Sequence, residues 1–146
     1  MKKLLLLAAL IASPLSADIA TVVAIRGDVK TQHTTLSQGA QISVGDVVSA
    51  ADRSFAILQF TDGSKVTIRP KSKVIIEEYS YQEGVTDKAR FDILEGGLRI
   101  VTGAMAKRDP DNYVVSTPVA LMGVRGTEFS IQLVDSIEEI EEYGGF

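Results

Sequence analysis

Few residue types in this chain can do covalent chemistry. It has one histidine, His33, and no cysteine. A lone imidazole cannot build a two- or three-histidine metal centre, and only His33 could serve as the histidine of a serine triad. The absence of cysteine removes a disulfide framework, thiolate ligation of zinc or iron–sulfur clusters, a cysteine nucleophile and a lipid-modified amino-terminal cysteine. Ser64-Lys65 has the residue types of a serine–lysine pair, but neighbours in a strand point to opposite faces, which parts nucleophile from base. Asp109-Pro110-Asp111-Asn112 is rich in oxygen ligands yet lacks the glycine and distal glutamate of a calcium loop, and it reads as a plain turn. Gly123-Val124-Arg125-Gly126-Thr127 lacks the Gly-Lys-Ser/Thr ending of a phosphate loop. It reads as a tight corner with Arg125 paired to an internal carboxylate or carbonyl, and alternatively as a backbone nest that binds an anion. His33 stands among Gln32, Thr34 and Thr35 in a polar strand or loop and is not expected to be a ligand. No catalytic, cofactor-binding or metal-binding residue is assigned, and the expectation is a non-enzymatic protein.

Charge and hydropathy narrow the setting. The chain has 146 residues, 45% of them hydrophobic and 23% charged, with 15 basic against 19 acidic side chains. That balance suits one folded domain. It opposes nucleic acid, because phosphate binding needs a concentrated excess of Lys and Arg. Lys2 and Lys3 precede the apolar run Leu4 to Ala12, and Pro14, Ser16 and Ala17 supply a breaker and small residues, the layout of an export segment cut after Ala17. A spanning helix needs roughly 20 apolar residues, more than this run offers, so no transmembrane anchor is expected. The expected division is an export segment at 1–17, a β domain at 18–134 and an acidic tail at 135–146. In the tail Asp135, Glu138, Glu139, Glu141 and Glu142 surround Ile137 and Ile140, whose spacing places both on one side of a helical turn. One reading is a solvated tail. The other is a docking segment, Ile137 to Glu142, that orders on a basic partner.

The elements that must position these residues are short strands. Ile19 to Ile25 is a β-branched run ended by Arg26-Gly27-Asp28, and Val44-Gly45-Asp46-Val47 places a turn between two further strands. Ala56, Leu58 and Phe60 alternate on one strand and Val66 and Ile68 on the next, with Asp62-Gly63 between them as a tight turn, both positions at positive φ. Pro70 turns the chain again before a strand from Val74 to Tyr81. Phe91 and Ile93, a Glu95-Gly96-Gly97 turn, and Leu98, Ile100 and Thr102 continue the pattern. Gly103 to Asn112 reads as a loop, Tyr113 to Ser116 as strand, and Phe129, Ile131 and Leu133 as the last alternation. About ten short strands at close spacing imply an antiparallel sandwich or barrel and exclude a parallel α/β fold.

From about Val23 to Leu133 the order of features resembles the FecR domain. The residues that carry the likeness are Gly27-Asp28-Val29, Val44-Gly45-Asp46, Asp62-Gly63-Ser64, Pro70, Glu95-Gly96-Gly97-Leu98, Thr117-Pro118, and Gly123-Val124-Arg125-Gly126-Thr127-Glu128-Phe129. Thr-Pro followed by Val-Arg-Gly-Thr-x-Phe is the specific part. The resemblance implies an all-β periplasmic sandwich of jelly-roll type, with Asp62, Gly63, Ser64, Thr117, Pro118, Gly123, Arg125, Gly126, Thr127 and Phe129 at structural positions. In well-known members such a domain follows a cytoplasmic anti-sigma segment and a membrane helix; neither is expected here, so direct sigma-factor control is not implied. The expected function is an exported interaction or sensory module that binds a protein partner in the cell envelope. The rival is a small-ligand or glycan binder, against which stand the absence of tryptophan and the scatter of Tyr79, Tyr81, Tyr113 and Tyr143.

Overall fold

A computed structural model describes residues 18–82 and 87–134. Alternating apolar residues build twelve strands: β1 (Asp18–Arg26), β2 (Val29–Lys30), β3 (Gln41–Ser43), β4 (Val47–Ala50), β5 (Phe55–Phe60), β6 (Lys65–Ile68), β7 (Ser72–Ser80), β8 (Lys88–Glu95), β9 (Gly97–Val101), β10 (Tyr113–Ser116), β11 (Leu121–Gly123) and β12 (Glu128–Gln132). They form two six-stranded sheets, β3-β1-β5-β6-β9-β12 and β2-β4-β7-β8-β10-β11. This is the all-β sandwich expected from the sequence, with more strands than the alternation alone revealed. The second sheet advances along the chain from edge to edge, and the first does so from β1 to β12, with β3 added on the free side of β1.

Cross-strand register explains why the pattern folds this way. Leu58, Val66 and Ile100 stand in one row across β5, β6 and β9, and Ala56, Ile68 and Leu98 in the next. The facing sheet supplies Val48, Val74 and Ile93 in one row and Ile76, Phe91 and Val115 in another. All of these side chains are fully buried. Each large aliphatic or aromatic one contributes about 1.5–3 kcal/mol by leaving water.

Four details depart from the reading of the sequence. The Asp62-Gly63 turn is a three-residue loop. Phe60 N donates to Ser64 O at 2.9 Å and Gly63 N to Phe60 O at 3.0 Å, and Gly63 alone has positive φ, +86°. Gly63 occupies the left-handed position that closes a three-residue hairpin, so Asp62 keeps an ordinary backbone and is free to turn its side chain inward. Next, Glu95-Gly96-Gly97 carries the chain from one sheet to the other and does not close a hairpin between paired neighbours. The sandwich is also not purely antiparallel. β10 runs parallel to β8, because β9 crosses to the opposite sheet and the chain must return before pairing again. Finally, the return path expected as a loop contains the helix α1 (Ala104–Arg108) and a 3₁₀ turn (Pro110–Asn112). α1 is too short to display a helical period, and it exists because Met105 and Ala106 bury themselves against the open end of the core.

Candidate functional site

Two sets of polar and apolar groups gather around the β9–β10 crossover, one buried and one exposed. The buried set centres on Asp62. Its Oδ1 accepts hydrogen bonds from Ser64 N (3.0 Å), Ser64 Oγ (2.6 Å) and the Tyr79 hydroxyl (3.0 Å), and its Oδ2 accepts from Met105 N (3.4 Å). The Tyr79 hydroxyl in turn accepts from Asp62 N (3.1 Å), and the Tyr113 hydroxyl donates to Ser64 Oγ (3.4 Å). Tyr79, Phe60, Phe91 and Tyr113 form a continuous chain of ring contacts with centroids 4.9–5.7 Å apart. Burial pushes both tyrosine phenols above their usual range. Ser64 Oγ beside a carboxylate has the look of an activated nucleophile, but Ser64 is fully buried. The arrangement locks the β5–β6 turn to the helix. Lys65, by contrast, is exposed on the other face, as strand alternation requires.

Gly103 shows how close that docking is. A methyl at this position would lie 2.4 Å from Asp62 O and 2.5 Å from Ser64 N, both backbone atoms, so only glycine lets the chain enter α1 against the turn. At its other end α1 is held by an ion pair between Arg108 and the buried Asp87, with the Arg108 guanidinium also 5.6 Å above the Tyr81 ring.

The exposed set follows β10. Thr117 closes the β10–β11 hairpin: its N donates to Ala120 O, and its Oγ1 accepts from Val119 N (3.3 Å) and Ala120 N (3.0 Å). Pro118, Val119, Ala120 and Leu121 then face solvent, Val119 at 90% and Leu121 at 65% exposure. Ser116 pairs with Asp92 in the parallel ladder, so the exposed Leu94, two residues past Asp92, stands at this same end of the sheet. β11 is the sheet's outer edge and brings no charged side chain to it. Edge strands are ordinarily shielded by lysines, prolines or a covering loop.

From β11 the chain crosses to β12 through Val124 to Thr127. Val124 is buried and its N donates to Tyr113 O (2.8 Å); Thr102 Oγ1 donates to Gly126 O (2.8 Å) and Thr127 O (3.1 Å). Phe129 packs against the core from β12. Arg125 does pair with a carboxylate, Asp111 at 2.6 Å, but at the surface: the two side chains are 74% and 77% exposed. The internal anchor expected for this arginine is therefore not formed. The corner is held by Val124 and Thr102, so the guanidinium has no buried acceptor to serve. Gly123 and Gly126 are also exposed, with φ of +93° at Gly126.

Residues 46–141 match a family described as FecR protein. The chain belongs to the FecR family. No curated protein and no solved structure matches it. The FecR match takes in the Asp62 turn, the Thr117-Pro118 hairpin and the Arg125 crossover, whereas β1 to β3 and the Gly27-Asp28-Val29 corner precede it. In FecR terms the structure separates the motif residues by task. Asp62 and Ser64 hold the interior together, Thr117 shapes the hairpin, and Gly123 to Phe129 carry the chain between sheets. Pro118, Arg125 and Thr127 are exposed at the surface. The candidate docking residues Ile137, Glu138, Glu139, Ile140, Glu141 and Glu142 lie outside the described residues. His33 lies exposed in the β2–β3 connection. Among the described residues no three His, Asp or Glu side chains gather to hold a metal, and no helix is long and apolar enough to cross a membrane. Sequence reasoning missed Leu94, Val119 and Leu121. The unbroken apolar run after Thr117-Pro118 was the available signal, since a half-buried strand would have alternated.

Proposed function

We propose that this FecR-family chain is an exported, non-enzymatic interaction or sensory module that docks a protein partner of the cell envelope on the β10–β11 hairpin. The observation that carries the reading is the apolar tip Pro118 to Leu121, beside Leu94, at an edge with no shielding charge. Residues 1–17 are the export segment in this proposal; β1 starts at Asp18, so a cut after Ala17 leaves the described fold whole. The acidic segment Ile137 to Glu142 is a second docking element of the same proposal. The glycan-binding alternative has less support, because Tyr79 and Tyr113 are buried in the Asp62 cluster and cannot stack on a sugar.

A photo-crosslinking residue placed at Val119 tests the reading in intact cells, with Thr67 on the outer face of the opposite sheet as the control position. A discrete adduct from position 119 and none from 67 is expected, and Leu121→Asp should abolish it without moving the thermal midpoint. Equal adducts from both positions, or none, would remove the hairpin as the docking surface. The mass of the periplasmic form, expected to begin at Asp18, tests the export segment separately.

A further inference from the structure

We propose that the cleft between the α1–3₁₀ segment and the Arg125 corner is an oxyanion site that takes a carboxylate or phosphate group. It lies beyond the docking reading and does not depend on it. The cleft has a volume of about 430 Å³ and is lined by Ala106, Lys107, Pro110, Arg125, Gly126 and Thr127. That is within the size of small-ligand sites, which run from about 300 to 1,000 Å³. Two of the lining side chains are cationic and none is anionic, while Ala106 and Pro110 add apolar wall.

Most of the donors at this place are unused. A guanidinium offers five N–H donors, and Arg125 uses its Nη2 on Asp111. Lys107 makes no salt bridge among the described residues. The amides of Arg125, Gly126 and Thr127 likewise meet no acceptor among the described residues, since the crossover is tied through the Gly126 and Thr127 carbonyls and through Val124 N. Cationic side chains together with unpaired amides are the recurrent chemistry of oxyanion recognition. Asp111 supplies the internal precedent, because its carboxylate already occupies one side of the guanidinium at 2.6 Å. A pair so exposed holds weakly in water, so an incoming oxyanion can displace Asp111 at little cost. The nearby Asp109 carboxylate accepts from Asn112 Nδ2 at 2.7 Å and forms no ion pair among the described residues.

The test is a calorimetric or NMR titration of the full chain with inorganic phosphate, acetate, the capped dipeptide acetyl-Gly-Glu-amide and its Gln counterpart, with ionic strength held constant by chloride. Saturable binding of phosphate or of a carboxylate probe is expected. Lys107→Gln and Arg125→Gln should each weaken it by about tenfold, and Asp111→Asn should tighten it by about threefold by removing the competitor. Arg90→Gln, on the outer face of β8, should leave it unchanged. Glutamyl peptide binding above acetate, with none for the Gln peptide, marks a peptide carboxylate as the natural occupant; phosphate binding alone marks a free small oxyanion. No saturation by any probe, or saturation insensitive to both Lys107→Gln and Arg125→Gln, overturns the site. The substituted side chains are exposed, so each variant can be confirmed as folded by its thermal midpoint.

Discussion

Asp62 and Arg125 both belong to the motif positions, yet their removal should have opposite consequences. Asp62→Ala strips the acceptor from Ser64 N, Ser64 Oγ, the Tyr79 hydroxyl and Met105 N. Buried donors left without partners cost about 1–3 kcal/mol each at most, and part of this is recovered by rotation of the hydroxyls, so a loss of about 2–4 kcal/mol is expected by urea denaturation. Arg125→Ala removes an exposed pair and should change stability by no more than about 1 kcal/mol. A large loss at Arg125 would mean that the corner depends on the guanidinium after all. The tyrosines add a pH signature. Their raised phenol pKa values mean that the fold holds the neutral form. This contribution is whole below the unfolded phenol value of about 10 and is lost as pH climbs from there through the folded values. Tyrosinate absorbance from Tyr79 and Tyr113 should therefore rise only as the far-ultraviolet circular dichroism collapses. Early ionisation in an intact fold would contradict the buried cluster.

The elements were legible where burial follows a period of two. Ala56, Leu58 and Phe60 against Val66 and Ile68 give the β5–β6 hairpin directly, and Phe129 with Ile131 gives β12. What could not be read locally depends on contacts distant in sequence. Nothing near Met105 announces that it closes the end of the core, and an aspartate in a turn normally faces water, so the role of Asp62 as a buried acceptor has no local mark. The parallel β8–β10 pair escapes notice for the same reason, since direction is decided by where the intervening strand goes. Arg125 illustrates the limit for the candidate site: its motif suggested an internal partner, and the carboxylate it meets stands fourteen positions away on the 3₁₀ turn. Gly103→Ala and Gly126→Ala separate close packing from backbone conformation. The first forces a methyl into backbone atoms and should cost about 2 kcal/mol or more, whereas the second meets open space and should cost about 1 kcal/mol for its positive φ. Equal midpoints for the two variants would mean that α1 is not seated against the β5–β6 turn as described.

At the scale of the molecule, consecutive strands repeatedly change sheets, so neither sheet can come apart while the other stays intact. Unfolding followed by tyrosine fluorescence and by circular dichroism should give coincident transitions. Separated midpoints would show that the sheets are independent. The strand order has one more consequence. β3 and β5 take the two free sides of β1, β4 takes a side of β2, and every later strand lies outboard of one that precedes it in the chain. No strand ever has to be threaded between two that are already joined. A chain emerging amino end first, from a ribosome or through a pore, can lay each new strand on a rim already waiting for it, and the β10–β11 hairpin arrives near the end of that sequence, with β12 alone of the described strands still to be laid on the rim of β9.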